Sequence, residues 1–237
     1  MFSQRIKTLL LAFIALVPFI VTGCSESDTG PGTSDTTPPT ITGHFPQDGA
    51  TDVNRSGPYW VAFSEPMDKE SVTDVIGFNM PGEYNTSWIG DTLLITPTVL
   101  LNGGTSYTIT VDETSKDLHG NRLGSDYQFS FTTTTASDNT PPQISGTDPE
   151  NDAINVNGIK PIEITFSEPM NLQVTEDATG IDPAPSAGWI EWEGLKMIIY
   201  HSSFPSDSLI TVTVNTTATD LAGNHLEAAC IFSYRTS

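Results

Sequence analysis

Sliding the chain by 103 positions lays it over itself. Thr37-Pro38-Pro39 falls on Thr140-Pro141-Pro142, Ile41 on Ile144, Val53-Asn54 on Val156-Asn157, and Phe63-Ser64-Glu65-Pro66-Met67 on Phe166-Ser167-Glu168-Pro169-Met170. The register holds to the end, where Asp117-Leu118 meets Asp220-Leu221, Gly120-Asn121 meets Gly223-Asn224 and Phe129-Ser130-Phe131 meets Phe232-Ser233-Tyr234. Only the middle slips by one, where Trp88 and Gly90 pair best with Trp192 and Gly194. A repeat of about 100 residues is long enough to close its own core, so the chain reads as two tandem copies of one folding unit.

A position apolar in both copies marks the inside. Tyr59, Val61 and Phe63 match Ile162, Ile164 and Phe166, and Tyr107, Ile109 and Val111 match Ile210, Val212 and Val214. Period two with polar residues between is the pattern of a half-buried strand. Seven short runs of this kind lie near 40–44, 58–64, 76–80, 86–89, 92–96, 105–112 and 126–134, separated by Gly, Pro, Asn and Asp. Helical character is limited to one turn at Asp68–Thr73. The expected fold class is all-β, with two tandem immunoglobulin-like sandwiches at 38–135 and 138–237. Besides Cys24 there is only Cys230, so no disulfide closes either core. Cys230 stands where the first copy has Tyr127 and is expected to pack as a small apolar residue.

These motifs resemble those of the bacterial Ig-like domain of S-layer and other surface proteins. The resemblance rests on Pro38-Pro39, Phe63-Ser64-Glu65-Pro66-Met67, Leu94-Ile95-Thr96-Pro97, Tyr107-Thr108-Ile109-Thr110-Val111, Asp117-Leu118-His119-Gly120-Asn121 and Phe129-Ser130-Phe131-Thr132-Thr133. It covers the second copy less well from Pro183 to Pro205. It implies spacer, stalk or interaction modules and no particular activity.

The amino terminus sets the expected address. Arg5 and Lys7 precede an apolar run from Leu9 to Val21, and Val21-Thr22-Gly23-Cys24 resembles a lipobox. Residues 1–23 read as a lipoprotein signal peptide, Cys24 as the lipidated first residue, and 24–37, rich in Ser, Thr, Gly, Asp and Pro, as a flexible tether. An acylated thiol anchors the chain where the short apolar run would not span a bilayer. Ser25, in place of aspartate after the lipidated position, favours the outer membrane of the cell envelope, with surface display as a further step.

Without Met1–Gly23 the net charge falls from −20 to about −22, because that stretch holds two basic residues and no acid. Such a chain is repelled by nucleic acid and by anionic lipid. The four histidines have no motif spacing, and no nucleophile elbow, phosphate loop or zinc cysteine pair is present. The expectation is therefore a non-enzymatic, monomeric, lipid-anchored envelope protein without a cofactor, contacting protein or glycan; a carbohydrate-binding accessory lipoprotein is the alternative, and a hydrolase with an unrecognised site a more remote one.

Two candidate sites follow from the repeat. Glu65 with Glu168, Asp117 with Asp220 and Asn121 with Asn224 are oxygen-bearing pairs of the kind calcium takes. Asp35 and Asp138, ahead of each domain, add carboxylates there. The competing reading of D-x-x-G-N is a tight turn, with Asp capping its own backbone and Gly supplying a positive φ. Trp60, opposite Glu163 in the other copy, and Trp189 are candidate exposed platforms for a sugar or a protein.

Overall fold

The computed structural model describes residues 35–237; the stretch read as a signal peptide, Cys24 and most of the stretch read as a tether lie outside them. Each copy is a sandwich of two four-stranded sheets. In the first, one sheet runs β1 (Ile41–Phe45), β3 (Tyr59–Phe63), β6 (Thr92–Pro97), β5 (Tyr84–Ile89). The other runs β2 (Ala50–Val53), β8 (Tyr127–Thr133), β7 (Ser106–Val111), β4 (Gly77–Phe78). The second copy repeats this order with β9 (Ile144–Asp148), β11 (Ile162–Phe166), β14 (Lys196–His201) and β13 (Gly188–Glu193), facing β10 (Ala153–Val156), β16 (Cys230–Thr236), β15 (Leu209–Val214) and β12 (Thr179–Asp182).

The alternation read from the sequence is the alternation buried. Tyr59, Val61, Phe63, Tyr107, Ile109, Val111, Phe129 and Phe131 close one core, and their counterparts close a second that shares no residue with it. Each such side chain contributes roughly 1.5–3 kcal/mol by leaving water, which is how the sandwiches hold without a disulfide. Tyr59 donates its hydroxyl to the Asn54 carbonyl at 2.8 Å, whereas the buried Tyr234 hydroxyl, where the first copy has Phe131, has no partner among the described residues.

The slipped register is explained by the hairpins. Gly90 (φ 57°) and Gly194 (φ 59°) each open a two-residue turn between strands, β5–β6 and β13–β14, so they are structurally equivalent although 104 positions apart. The single turn foreseen at Asp68–Thr73 is α1 (Lys69–Thr73), capped by the Asp68 side chain on the Ser71 amide at 3.3 Å; α2 (Leu172–Asp177) is capped likewise by Asn171.

One strand per copy differs from expectation. The count is eight, because β2 and β10 escape the pattern. Each spans four residues and pairs in parallel with the last strand, and Asp52 and Asn155 sit at φ 57° inside them. A left-handed residue breaks the two-residue alternation that reveals a strand.

Candidate functional site

The two motifs that recur most fully meet in space. Isolated bridges join Met67 to Asp117 and Met170 to Asp220, which brings the Phe-Ser-Glu-Pro-Met segment of each copy against its D-x-x-G-N turn. Asp117 and Asp220 are 1% and 2% exposed. The Asp117 carboxylate accepts from the His119 amide at 2.7 Å, the Asn121 amide at 2.9 Å and the Asn121 side-chain amide at 2.7 Å. Asp220 accepts from the Asn224 amide at 2.8 Å and from its side chain at 2.7 Å. Gly120 and Gly223, at φ 89° and 91°, let the chain turn back so that Asn can reach the Asp.

The same Asn side chain works in two directions. Asn121 Nδ2 also donates to the Asp35 carbonyl at 3.1 Å, and Asn224 Nδ2 to the Asp138 carbonyl at 3.3 Å. Asp35 and Asp138 in turn accept from the Thr37 and Thr140 amides at 2.9 and 3.0 Å. One buried carboxylate thus fixes a turn and, through its Asn, the segment that enters the domain. Asp35 and Thr37, read from the sequence as the end of the tether, are held on the sandwich in this way.

Each site gathers three groups with ligand atoms within 4.8 Å of one another: Asp35, Asp117 and His119 in the first copy, Asp138, Glu168 and Asp220 in the second. His119 is a residue the sequence did not connect to the site, because its counterpart is Ala222; its Nδ1 lies 3.7 Å from an Asp35 carboxylate oxygen. Desolvation pushes the Asp117 carboxyl up, but the hydrogen bonds from Asn121 and from the His119 and Gly120 amides outweigh it and leave it below its ordinary value. Burial raises Glu65, with Asp35 and Asp117 adding like charge and His119 partly offsetting it. Glu168 has no such offset: burial first, then Asp138 and Asp220, push it up to about 7. The oxygens of Asp117 and Asp220 are already engaged by amides, as is Oδ1 of Asp35 and of Asp138, which leaves Oδ2 of those two aspartates and the carboxylates of Glu65 and Glu168 for a cation.

The two tryptophans are placed differently. Trp60, on β3, is half-buried, and its ring lies over the strand β1 so closely that a Cβ built on Gly43 would come within 3.3 Å of it. Trp189, on the edge strand β13, is 59% exposed and stacks on Tyr200 with centroids 4.8 Å apart and planes 12° apart; its indole N–H donates to Glu191 at 3.2 Å. Tyr200 gave no separate signal in the sequence, since only the β13–β14 register sets it opposite Trp189.

The bacterial Ig-like domain profile matches residues 35–133 and again residues 138–236. The chain belongs to the bacterial Ig-like domain family. Both matches begin at the aspartate that the Asn side chain engages. Membership supports a surface or interaction module of an envelope protein rather than a catalyst. No curated protein matches the chain. Among solved structures it is similar to an L,D-transpeptidase from Mycobacterium smegmatis, at 24% identity over 41% of each chain with a TM-score of 0.32. It is also similar to the N-terminal part of the bacterial S-layer protein SbsC, at 13% identity over 83% of this chain and 44% of that one (TM-score 0.30), and to the titin domains z1z2, at 10% over 85% and 96% (TM-score 0.26). The chain spans about two fifths of the transpeptidase, and likenesses at these scores carry nothing about function.

Proposed function

We propose that this protein is a non-enzymatic, lipid-anchored component of the cell envelope whose two bacterial Ig-like domains act as a spacer or interaction module of adhesion type. The observation that carries the reading is the use made of the duplicated acids. Asp117 and Asp220 are consumed in holding a turn and an entering segment, in both copies alike, which is architecture rather than chemistry. The anchor rests on the lipobox at Cys24. Among the described residues no helix is long and apolar enough to cross a membrane.

Membrane fractionation tests the anchor. The wild-type chain is expected in the membrane pellet, in an outer-membrane fraction where one exists, and labelled by a radioactive fatty acid. Cys24→Ser should lose the label and move to the soluble fraction. A variant that keeps its label and its pellet overturns the lipid anchor.

A second reading is favoured by Trp189, whose exposed ring on a sheet edge, backed by Tyr200 and flanked by the Glu191 carboxylate, suits a sugar face. Trp189→Ala should reduce retention on an envelope-glycan affinity gel at least tenfold, and Trp60→Ala should not. Equal retention of the Trp189 variant and the wild type removes this reading.

A further inference from the structure

The two sandwiches part company on the outer face of one sheet. Along β13, Ile190 and Trp192 pack against the core, so Trp189, Glu191 and Glu193 share the opposite face. On β14 Met197 and Ile199 belong to the core, which sets Lys196, Ile198 and Tyr200 on that outer face, with Tyr200 opposite Trp189. In the first copy the pair facing across the same hairpin is Asn85 and Thr96, and Ser87 and Ile89 stand where Glu191 and Glu193 do. The second domain alone carries rings and carboxylates together at this place.

Tyr200 backs one face of the Trp189 ring, and at 59% exposure the other face is open. The edge of the ring is held by Glu191, which accepts the indole N–H at 3.2 Å. The lysines nearby are already engaged: Lys196 donates to Glu163 at 2.7 Å, and Lys160 pairs with Asp148. Lys69 of the first domain lines a cleft with Glu191 and Glu193, but its ammonium sits 5.7 Å over the Trp88 ring. Among the described residues no ion pair takes up Glu191 or Glu193. Their charge reaches the platform: burial raises the Tyr200 hydroxyl above its ordinary value, and the fields of Glu191 and then Glu193 add to that rise.

An indole face attracts a cation through its ring quadrupole, and a free carboxylate at the ring edge adds to the attraction. A neutral sugar gains neither, and an acidic one is repelled by Glu191 and by the strongly negative chain. We propose that the Trp189 platform selects sugars carrying a free, protonated amine, as in a de-N-acetylated amino sugar, over their N-acetylated counterparts. The inference rests on the reading of Trp189 as a sugar face and narrows that reading to one ligand class. Trp189 offers the stacking surface and Glu191 the partner for the ammonium.

The test uses three probes: fully N-acetylated chitotetraose, the same tetraose with one acetyl group removed, and spermidine, which has more charge and no sugar ring. Each is titrated into the protein at about pH 6, where an amine of this kind is charged. The indole N–H NMR signal of Trp189 is followed, with that of Trp60 as the control that should stay still. The amine-bearing tetraose should bind about fivefold more tightly than the acetylated one, and more tightly than spermidine. Glu191→Gln should bring the two tetraoses level, and Trp189→Ala should abolish the binding of both. Equal binding of the two tetraoses to the wild type overturns the amine preference and leaves the sugar reading standing, whereas no shift with either removes both. Spermidine binding as tightly as the amine-bearing tetraose, or a preference that survives Glu191→Gln, also overturns the inference.

Discussion

Asp220→Ala is expected to melt the second sandwich well ahead of the first. The Asp220 carboxylate is buried, and the Asn224 amide and side chain both donate to it. Alanine leaves those donors without an acceptor in a place that water reaches poorly, and each orphaned group costs about 1–3 kcal/mol. The Asn224 side chain, freed at one end, also loses its hold on the Asp138 carbonyl. A total near 3 kcal/mol lowers the midpoint of a domain of this size by roughly 10–20 °C. The cores share no residue, so calorimetry on the variant should resolve two transitions, the second sandwich melting first. Asp220→Asn keeps one oxygen acceptor and should fall between. A single transition at the wild-type temperature for Asp220→Ala would show that the carboxylate does not staple the turn. Asp117→Ala should shift the order the other way, with the first sandwich melting first.

Most of the fold was legible because the chain states it twice. The pairs Tyr59/Ile162 and Ile109/Val212, apolar in both copies with period two, are fully buried. The strands at Ala50–Val53 and Ala153–Val156 were not legible, since a left-handed residue in each destroys the alternation. The candidate acids were legible as pairs, Glu65/Glu168 and Asp117/Asp220, but their meeting is a product of the bridges at Met67 and Met170. Two features had no counterpart to reveal them. His119 enters the first site alone, and Tyr200 supports Trp189 only through strand register. Repetition exposes what the copies share; the places where they diverge, His119 against Ala222 and Asn85 against Trp189, acquire meaning only from the neighbours that the fold provides.

The second domain is expected to lose stability as the pH rises through the titration of Glu168. Glu168 ordinarily titrates at 4.5 and in the folded domain at about 7, so the folded state binds its proton more tightly than the unfolded one. Its contribution to stability is therefore complete below pH 4.5, declines between 4.5 and 7, and is gone above. The group is half-buried, and after discounting for solvent screening the loss is about 1 kcal/mol. Glu168→Gln, neutral at every pH, should lack this decline and melt a few degrees above the wild-type second domain at pH 8, with the advantage vanishing at pH 4. High salt should shrink only the part due to Asp138 and Asp220, because burial is not screened. In the first domain Glu65 is raised in the same direction, whereas Asp35, Asp112 and Asp117 are held below their ordinary value of 3.8 by hydrogen bonds, so the contributions of those three are lost as the pH falls below about 3.8. Parallel pH profiles for wild type and Glu168→Gln from 4 to 8 would show that Glu168 is not held in its acid form.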